Sequence, residues 1–85
     1  MRIIKSAQFQ KKYKNLPQSI KDKTKKQLRL LLSDPQHPSL YFKKMKDPRE
    51  IWEVRISYSY RLTLQILEDG YYLRTVGTHD VLKKP

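Results

Sequence analysis

Apolar and polar residues alternate along the second half of the chain in a way that predicts β-strands. Residues 51–56 read Ile-Trp-Glu-Val-Arg-Ile, and residues 60–66 read Tyr-Arg-Leu-Thr-Leu-Gln-Ile. Successive side chains of a strand point to opposite faces of a sheet, so this alternation indicates strands with one buried face. Asp69-Gly70 then marks a hairpin turn in which glycine supplies the positive φ, and a last strand follows over residues 71–79. We therefore predict an antiparallel meander of three strands.

The same alternation predicts how the first two of these strands pair. If both apolar sets face one core, the connecting loop must hold an odd number of residues, and Ser57–Ser59 meets this condition. Arg55 then lies directly opposite Arg61 on an exposed face, where two like charges destabilise the pair. Glu53 lies opposite Thr63 and on the diagonal from Arg61, about 7–8 Å away.

The opposed arginines allow two interpretations. Both long side chains can splay into water, because surface charges contribute little to stability. Alternatively, an anion sits between them, and a phosphate suits the site because its oxygens match the fork geometry of guanidinium. The last strand returns His79 to the same sheet edge, where an imidazole can act as general acid or base near neutral pH, although a single histidine at a strand end is usually structural.

The first half of the chain predicts one short strand and two helices. Arg2–Lys5 is the candidate strand, and Ser6 is a good N-cap for a first helix. A second helix runs from Gln18 to Ser33 and ends at Asp34-Pro35. Its predicted apolar face is formed by Ile20, Thr24, Leu28, Leu31 and Leu32. Its opposite face carries Lys21, Lys23, Lys25, Lys26 and Arg29.

Two lysine-rich segments are candidates for contacting a polyanion. In the second helix only Asp22 offers an opposite charge nearby, so the lysine face is either a solvated surface or a nucleic-acid contact. Residues 40–46 read Leu-Tyr-Phe-Lys-Lys-Met-Lys, which combines charge with aromatic rings, as nucleic-acid binders do. The alternative is that Phe42 and Met45 belong to the core and the lysines point to water. The predicted RNA-binding residues are Lys23, Lys26, Lys43, Lys44 and Lys46.

Composition narrows the functional classes further. The 85 residues carry 19 Lys and Arg against eight Asp and Glu, which gives a net charge of +11 and a pI near 10.0. A basic chain of this size is expected to be one domain, residues 1–85, that binds nucleic acid. The chain has no cysteine and only two distant histidines, so neither a disulfide, a metal site nor another cofactor is expected. We find no signal peptide or membrane span, so the cytoplasm is the expected location.

The order of these elements, together with three motifs, resembles the RelE/ParE superfamily of bacterial and archaeal type II toxins. The motifs are Trp52-Glu53-Val54-Arg55-Ile56, Tyr60-Arg61-Leu62 and Thr75-Val76-Gly77-Thr78-His79. The resemblance extends over nearly the whole chain. It implies an α+β fold in which two N-terminal helices pack on a small, mainly antiparallel, twisted sheet. It also implies a toxin that cuts mRNA in the ribosomal A site without a metal ion and is silenced by a cognate antitoxin protein.

The resemblance also implies roles for individual residues. Arg61 matches the phosphate-stabilising arginine of the family, and Arg55 matches a basic residue that RelE supplies as lysine. His79 lies where the YoeB and YafQ branches have a catalytic histidine and RelE has an arginine. RelE has a lysine where this chain has Glu53, so a lysine base cannot be carried over to that position. The candidate base is therefore Glu53 itself or a neighbouring lysine, and Asp80 is the candidate group that orients His79.

One departure keeps other functions open. The family often has an aromatic residue shortly after the last strand, whereas this chain continues Val81-Leu82-Lys83-Lys84-Pro85, and Tyr58 is a candidate substitute. The first hypothesis is a ribosome-dependent endoribonuclease that uses Glu53, Arg55, Arg61 and His79. The alternatives are a ParE-like inhibitor of DNA gyrase, which needs no acid–base residues, and a catalytically weak member that binds RNA or the antitoxin.

Overall fold

Two helices lie against a five-stranded sheet in the computed structural model, which describes all 85 residues. The elements are β1 (Arg2–Lys5), α1 (Ala7–Lys14), α2 (Gln18–Ser33), β2 (Lys43–Lys44), β3 (Ile51–Arg55), β4 (Tyr60–Leu67) and β5 (Gly70–Thr78). The strand order is β1-β5-β4-β3-β2, with β1 parallel to β5 and every other pair antiparallel. The predicted α+β fold is therefore confirmed. Short 3₁₀ helices cover Pro38–Leu40 and His79–Lys83.

The N-terminal cap of α1 also ties this helix to the sheet. The Ser6 hydroxyl accepts a hydrogen bond from the Phe9 amide at 3.0 Å, as its cap role predicts, and donates to the Arg74 carbonyl at 2.9 Å. Phe9 is thereby fixed in the core between α1 and β5, where it is buried. Neither α1 nor α2 is long and apolar enough to cross a membrane.

The buried face of α2 differs from its predicted face at two positions. Leu32 was expected in the core but is exposed, whereas Gln27 is only 6% exposed. The buried positions of α2 are Ile20, Thr24, Gln27 and Leu31, a spacing of four, three and four residues. This spacing follows the 3.6-residue period, and Leu32 lies about 100° further round the helix from Leu31. The buried Gln27 amide is tolerated because it is hydrogen-bonded.

The predicted pairing of β3 with β4 is confirmed. Arg55 pairs with Arg61, and Glu53 pairs with Thr63. The apolar positions of both strands face the helices and form one core with side chains of β5. This core comprises Phe9, Ile20, Leu31, Leu40, Val54, Ile56, Leu62, Leu64, Tyr71, Leu73 and Val76.

The other face of the sheet is covered rather than open, which corrects the prediction of an exposed arginine face. The 3₁₀ helix His79–Lys83 packs across the ends of β4 and β5. The Pro85 carbonyl accepts hydrogen bonds from Thr63 Oγ1 at 3.1 Å and from Arg74 Nε at 3.0 Å. As a result, Thr63 is fully buried and Arg61 is only 8% exposed.

Two predictions about the last strand are wrong in detail. No glycine has a positive φ, and the hairpin turn is formed by Glu68 and Asp69, with Gly70 already paired in β5. Gly70 is needed for a different reason, because a Cβ there would overlap the carbonyl of Arg2 in the neighbouring β1. The strand ends at Thr78 rather than His79, whose backbone amide turns to donate to the Ser59 carbonyl at 2.9 Å.

Candidate functional site

The ends of β3, β4 and β5 bring the two predicted arginines and the predicted histidine to one place. Arg55, Arg61 and His79 line a common cavity of about 460 Å³. The remaining lining residues are Tyr58, Ser59, Thr78 and Asp80. Pairing positions the arginines, since they lie opposite each other in the β3–β4 ladder, and the turn after Thr78 delivers His79. We refer to this space as the arginine cavity.

Arg61 is held firmly by the loop between β3 and β4. Its Nη1 atom donates to the carbonyls of Ser57 at 2.7 Å, Tyr58 at 3.1 Å and Tyr60 at 3.0 Å. Its Nη2 atom forms no hydrogen bond within the chain. Arg61 therefore holds the loop through Nη1, and its side chain also lines the arginine cavity.

Glu53 lies between two cations on the floor of a neighbouring cavity of about 320 Å³. Its Oε1 atom is 3.5 Å from Lys43 Nζ, and its Oε2 atom is 4.0 Å from Arg61 Nε. The residue as a whole is only 9% exposed. Arg55, Arg61 and His79 line this second cavity as well, so Glu53 belongs to the same site.

Tyr41, an exposed tyrosine in the lysine-rich segment 40–46, contacts Arg55 directly. The ring centre of Tyr41 is 4.0 Å from the Arg55 Cζ atom, which is cation–π geometry. Tyr41 is 60% exposed and has a φ of 44°, a left-handed conformation that is uncommon for a residue other than glycine. The Arg55 Nε atom is buried without a hydrogen-bond partner. The aromatic residues among the lysines were the available signal, but the stack depends on this backbone conformation.

The exposed side chain of His79 lines both cavities. Asp80 lines the arginine cavity, yet its carboxylate lies 3.7 Å from Lys83 Nζ and accepts no hydrogen bond from His79. The orienting role of Asp80 therefore stays a prediction. No group of three His, Asp or Glu side chains is placed to hold a metal ion.

The structure separates the predicted RNA-binding lysines into two groups. Lys43 lines the cavity above Glu53, and Lys23 and Lys26 line a cavity that Arg55 and Tyr58 share, so these three lysines adjoin the site. Lys44 pairs with Trp52 in the register and therefore points to the opposite face from Lys43, where Glu50 is 3.2 Å from its Nζ atom. Lys46 is exposed beyond the end of β2.

Tyr58 extends from the loop that Arg61 holds. It is 88% exposed and forms no side-chain hydrogen bond, although it lines both the arginine cavity and the cavity that contains Lys23 and Lys26. A fully exposed aromatic ring between cationic side chains is the arrangement that stacks a nucleobase while lysines hold the phosphates. The combined site can therefore bind an anionic chain, transfer protons and stabilise charge on a phosphate.

Solved toxin structures share this fold. YafQ from E. coli superposes with a TM-score of 0.79 at 17% identity, over 95% of this chain and 96% of YafQ. The YoeB/ParE toxin from Agrobacterium tumefaciens superposes with a TM-score of 0.77 at 14% identity, over 93% of this chain and 99% of that toxin. A chain of the RelB–RelE antitoxin–toxin complex from Methanococcus jannaschii gives 0.75 at 18% identity, over 95% of each chain. The fold is that of the toxins of type II toxin–antitoxin systems.

The family assignment is more specific. Residues 18–80 match the model of the ParE-like toxin domain. The chain therefore belongs to the ParE-like toxin domain family. No curated protein sequence matches it.

Proposed function

We propose that this chain is the toxin of a type II toxin–antitoxin system and that it cleaves mRNA on the ribosome without a metal ion. The observation that carries the proposal is the placement of two guanidinium groups, a carboxylate and an imidazole around adjoining cavities. An inhibitor that acts only by binding has no need for this combination. A net charge of +11 supports a polyanionic substrate.

The proposed reaction is transesterification of the RNA backbone. Glu53 accepts the proton of a 2′-hydroxyl, whose oxygen forms a bond to the adjacent phosphorus as the bond from phosphorus to the 5′-oxygen breaks. His79, in its protonated form, gives a proton to that leaving oxygen. The products are a 2′,3′-cyclic phosphate and a 5′-hydroxyl, so the reaction consumes neither water nor a cofactor.

The arginines stabilise the charge that builds on the phosphoryl oxygens. Arg55 contributes most, because Arg61 uses its Nη1 atom to hold the loop. Removing one such donor typically costs about 10²–10³ in rate. Asp80 orients His79 only if substrate binding separates it from Lys83, which lies 3.7 Å away.

The RNA is expected to follow the cationic surface next to the cavities. Lys43 contacts the backbone on one side of Arg55, and Lys23 and Lys26 contact it on the other, with Tyr58 as a stacking platform between them. Lys44 and Lys46 lie further from the cavities and are expected to contribute long-range attraction to ribosomal RNA. The expected protein partner is an acidic antitoxin that covers this surface in the cytoplasm.

The test is mRNA cleavage by purified variants on translating ribosomes, read by primer extension and by chemical analysis of the new ends. Glu53→Gln and His79→Ala are expected to reduce the cleavage rate at least 100-fold, as is typical when a general acid or base is lost. His37→Ala is the matched control, because His37 is the other histidine, is half-buried and lines neither cavity. Wild-type rates in both site variants would remove these residues from the reaction.

A second candidate is inhibition of DNA gyrase without cleavage. The match to a ParE-like domain favours it, as does the lack of an aromatic residue within residues 79–85. Supercoiling assays with purified gyrase separate the two functions, because a gyrase inhibitor blocks supercoiling and leaves mRNA intact. Binding to RNA or to an antitoxin with neither effect would identify a catalytically weak member of the family.

A further inference from the structure

A buried glutamine connects α2 to both sides of the Arg55–Tyr41 stack. Gln27 occupies a core position of α2, where an apolar residue would fit the stripe formed by Thr24 and Leu31. Its Nε2 atom donates one hydrogen bond to the Arg55 carbonyl at 2.9 Å and another to the Ser39 carbonyl at 3.1 Å. Both partners are acceptors, so only the NH₂ side of the amide can face them, and both of its hydrogens are used.

The two carbonyls belong to the segments that carry the stacked pair. The pairing of β2 with β3 stops at Glu53, and β3 continues for two more residues to Arg55. The Arg55 carbonyl therefore has no neighbouring strand on the β2 side. Ser39 lies two residues before Tyr41, in the 3₁₀ turn Pro38–Leu40. The Gln27 amide therefore donates to the Arg55 carbonyl the hydrogen bond that a neighbouring strand would otherwise provide. Its second hydrogen bond, to Ser39, sets the distance from Arg55 to the turn that leads into Tyr41.

The stack itself needs this support. The Arg55 Nε atom is buried without a partner, so no hydrogen bond from its side chain fixes the guanidinium group. Its orientation depends on the Tyr41 ring, 4.0 Å from Cζ, and on the backbone positions of both residues. We infer that Gln27 is a positioning residue that holds Arg55 toward the arginine cavity by fixing both residues of the stack. The consequence for catalysis rests on the proposed RNA cleavage.

The first experiment observes Arg55 directly and requires no activity. The Nε–H signal of Arg55 in NMR spectra is expected to be shifted by the Tyr41 ring current and protected from solvent exchange. Gln27→Met keeps the volume and removes both hydrogen bonds, whereas Tyr41→Leu removes only an exposed ring. Both variants should move this signal toward the position of an unstacked arginine. Thr24→Val is the matched control, because it removes a buried hydroxyl whose bond, to the Ile20 carbonyl, stays within α2.

The second experiment measures cleavage by the same variants on mRNA-programmed ribosomes. Gln27→Met should lower kcat at least tenfold with little change in KM, since misplacing a group by 1 Å can cost on the order of 100-fold. Thr24→Val should retain the wild-type kcat. An unchanged Arg55 signal or an unchanged kcat in folded Gln27→Met would overturn the inference. If the wild-type chain cuts no RNA, the proposed function fails, and the NMR result still decides whether Gln27 positions Arg55.

Discussion

The two opposed arginines are expected to differ sharply in their contribution to stability. Arg61→Ala removes the group that donates to three loop carbonyls and leaves the buried Glu53 with Lys43 as its only close cation, at 3.5 Å. Arg55→Ala removes a side chain whose main contact is the exposed ring of Tyr41. The first substitution should destabilise the fold strongly, and the second only slightly.

The expected size of each effect comes from these contacts. Removing one partner of a buried ion pair costs about 3–5 kcal/mol, and each hydrogen bond from a charged donor contributes about 1.5–3 kcal/mol. Lys43 remains near Glu53 after the substitution, so we expect about 3 kcal/mol for Arg61→Ala, at the low end of that range. Arg55→Ala should cost below about 1 kcal/mol, because a cation–π contact at an exposed ring is worth about 0.5–1 kcal/mol.

Thermal and urea unfolding followed by circular dichroism measure both effects. For a domain of this size, about 3 kcal/mol corresponds to a fall in Tm of about 12–24 °C, while Arg55→Ala should shift Tm by less than about 8 °C. Equal losses in the two variants would refute the loop-anchoring role of Arg61. The comparison also matters for activity tests, because loss of toxicity in Arg61→Ala can reflect unfolding, whereas loss in Arg55→Ala reports on the site.

Three further predictions concern the rest of the chain. Gly70→Ala should destabilise the fold by about 2 kcal/mol or more, since the alanine Cβ would overlap the Arg2 backbone. Hydrogen exchange should show that β1 is released first, and unchanged exchange in β1 would contradict this. Two side-chain hydrogen bonds from Arg49 lower the pKa of Asp47 to about 2. Their contribution to stability should therefore be present above the unfolded pKa near 4 and lost as pH falls through about 2. An NMR titration of Asp47 with a midpoint at an ordinary aspartate value would exclude this. Tyr58→Ala should leave Tm within about 4 °C of wild type and weaken binding to single-stranded RNA by about 5- to 150-fold, the range expected for one lost base stack, while Tyr58→Trp retains binding.

Local patterns in the chain were sufficient to predict the framework of the fold. The cap at Ser6 and the bounds of α2 follow from rules that operate over a few residues. The pairing of Arg55 with Arg61 follows from alternation and from the odd length of the loop between their strands. These features were predictable because each depends on residues close together in the chain or on the two-residue period of a strand.

The features that shape the site depend on contacts between distant segments. The burial of Arg61 requires a covered sheet face and a particular loop conformation, and neither has a periodic signal in the sequence. Gln27 was not among the residues of the predicted apolar face of α2, because only the carbonyls of Ser39 and Arg55 make its burial favourable. Gly70 was predicted to lie in the turn from the local Asp69-Gly70 pattern. Its close contact with Arg2 could not be predicted, because these two residues are far apart in the chain.

The parallel contact between β1 and β5 has a consequence for when the candidate site can form as the chain is synthesised. Arg2 pairs with Gly70 and Lys5 pairs with Leu73, so the first strand made has no place in the sheet until β5 has been translated. His79, which both cavities need, follows directly after that strand. A nascent chain that has emerged only as far as β4 therefore lacks β5, the strand with which β1 pairs, and also lacks His79. The candidate site is therefore complete only after β5 and His79 have been translated.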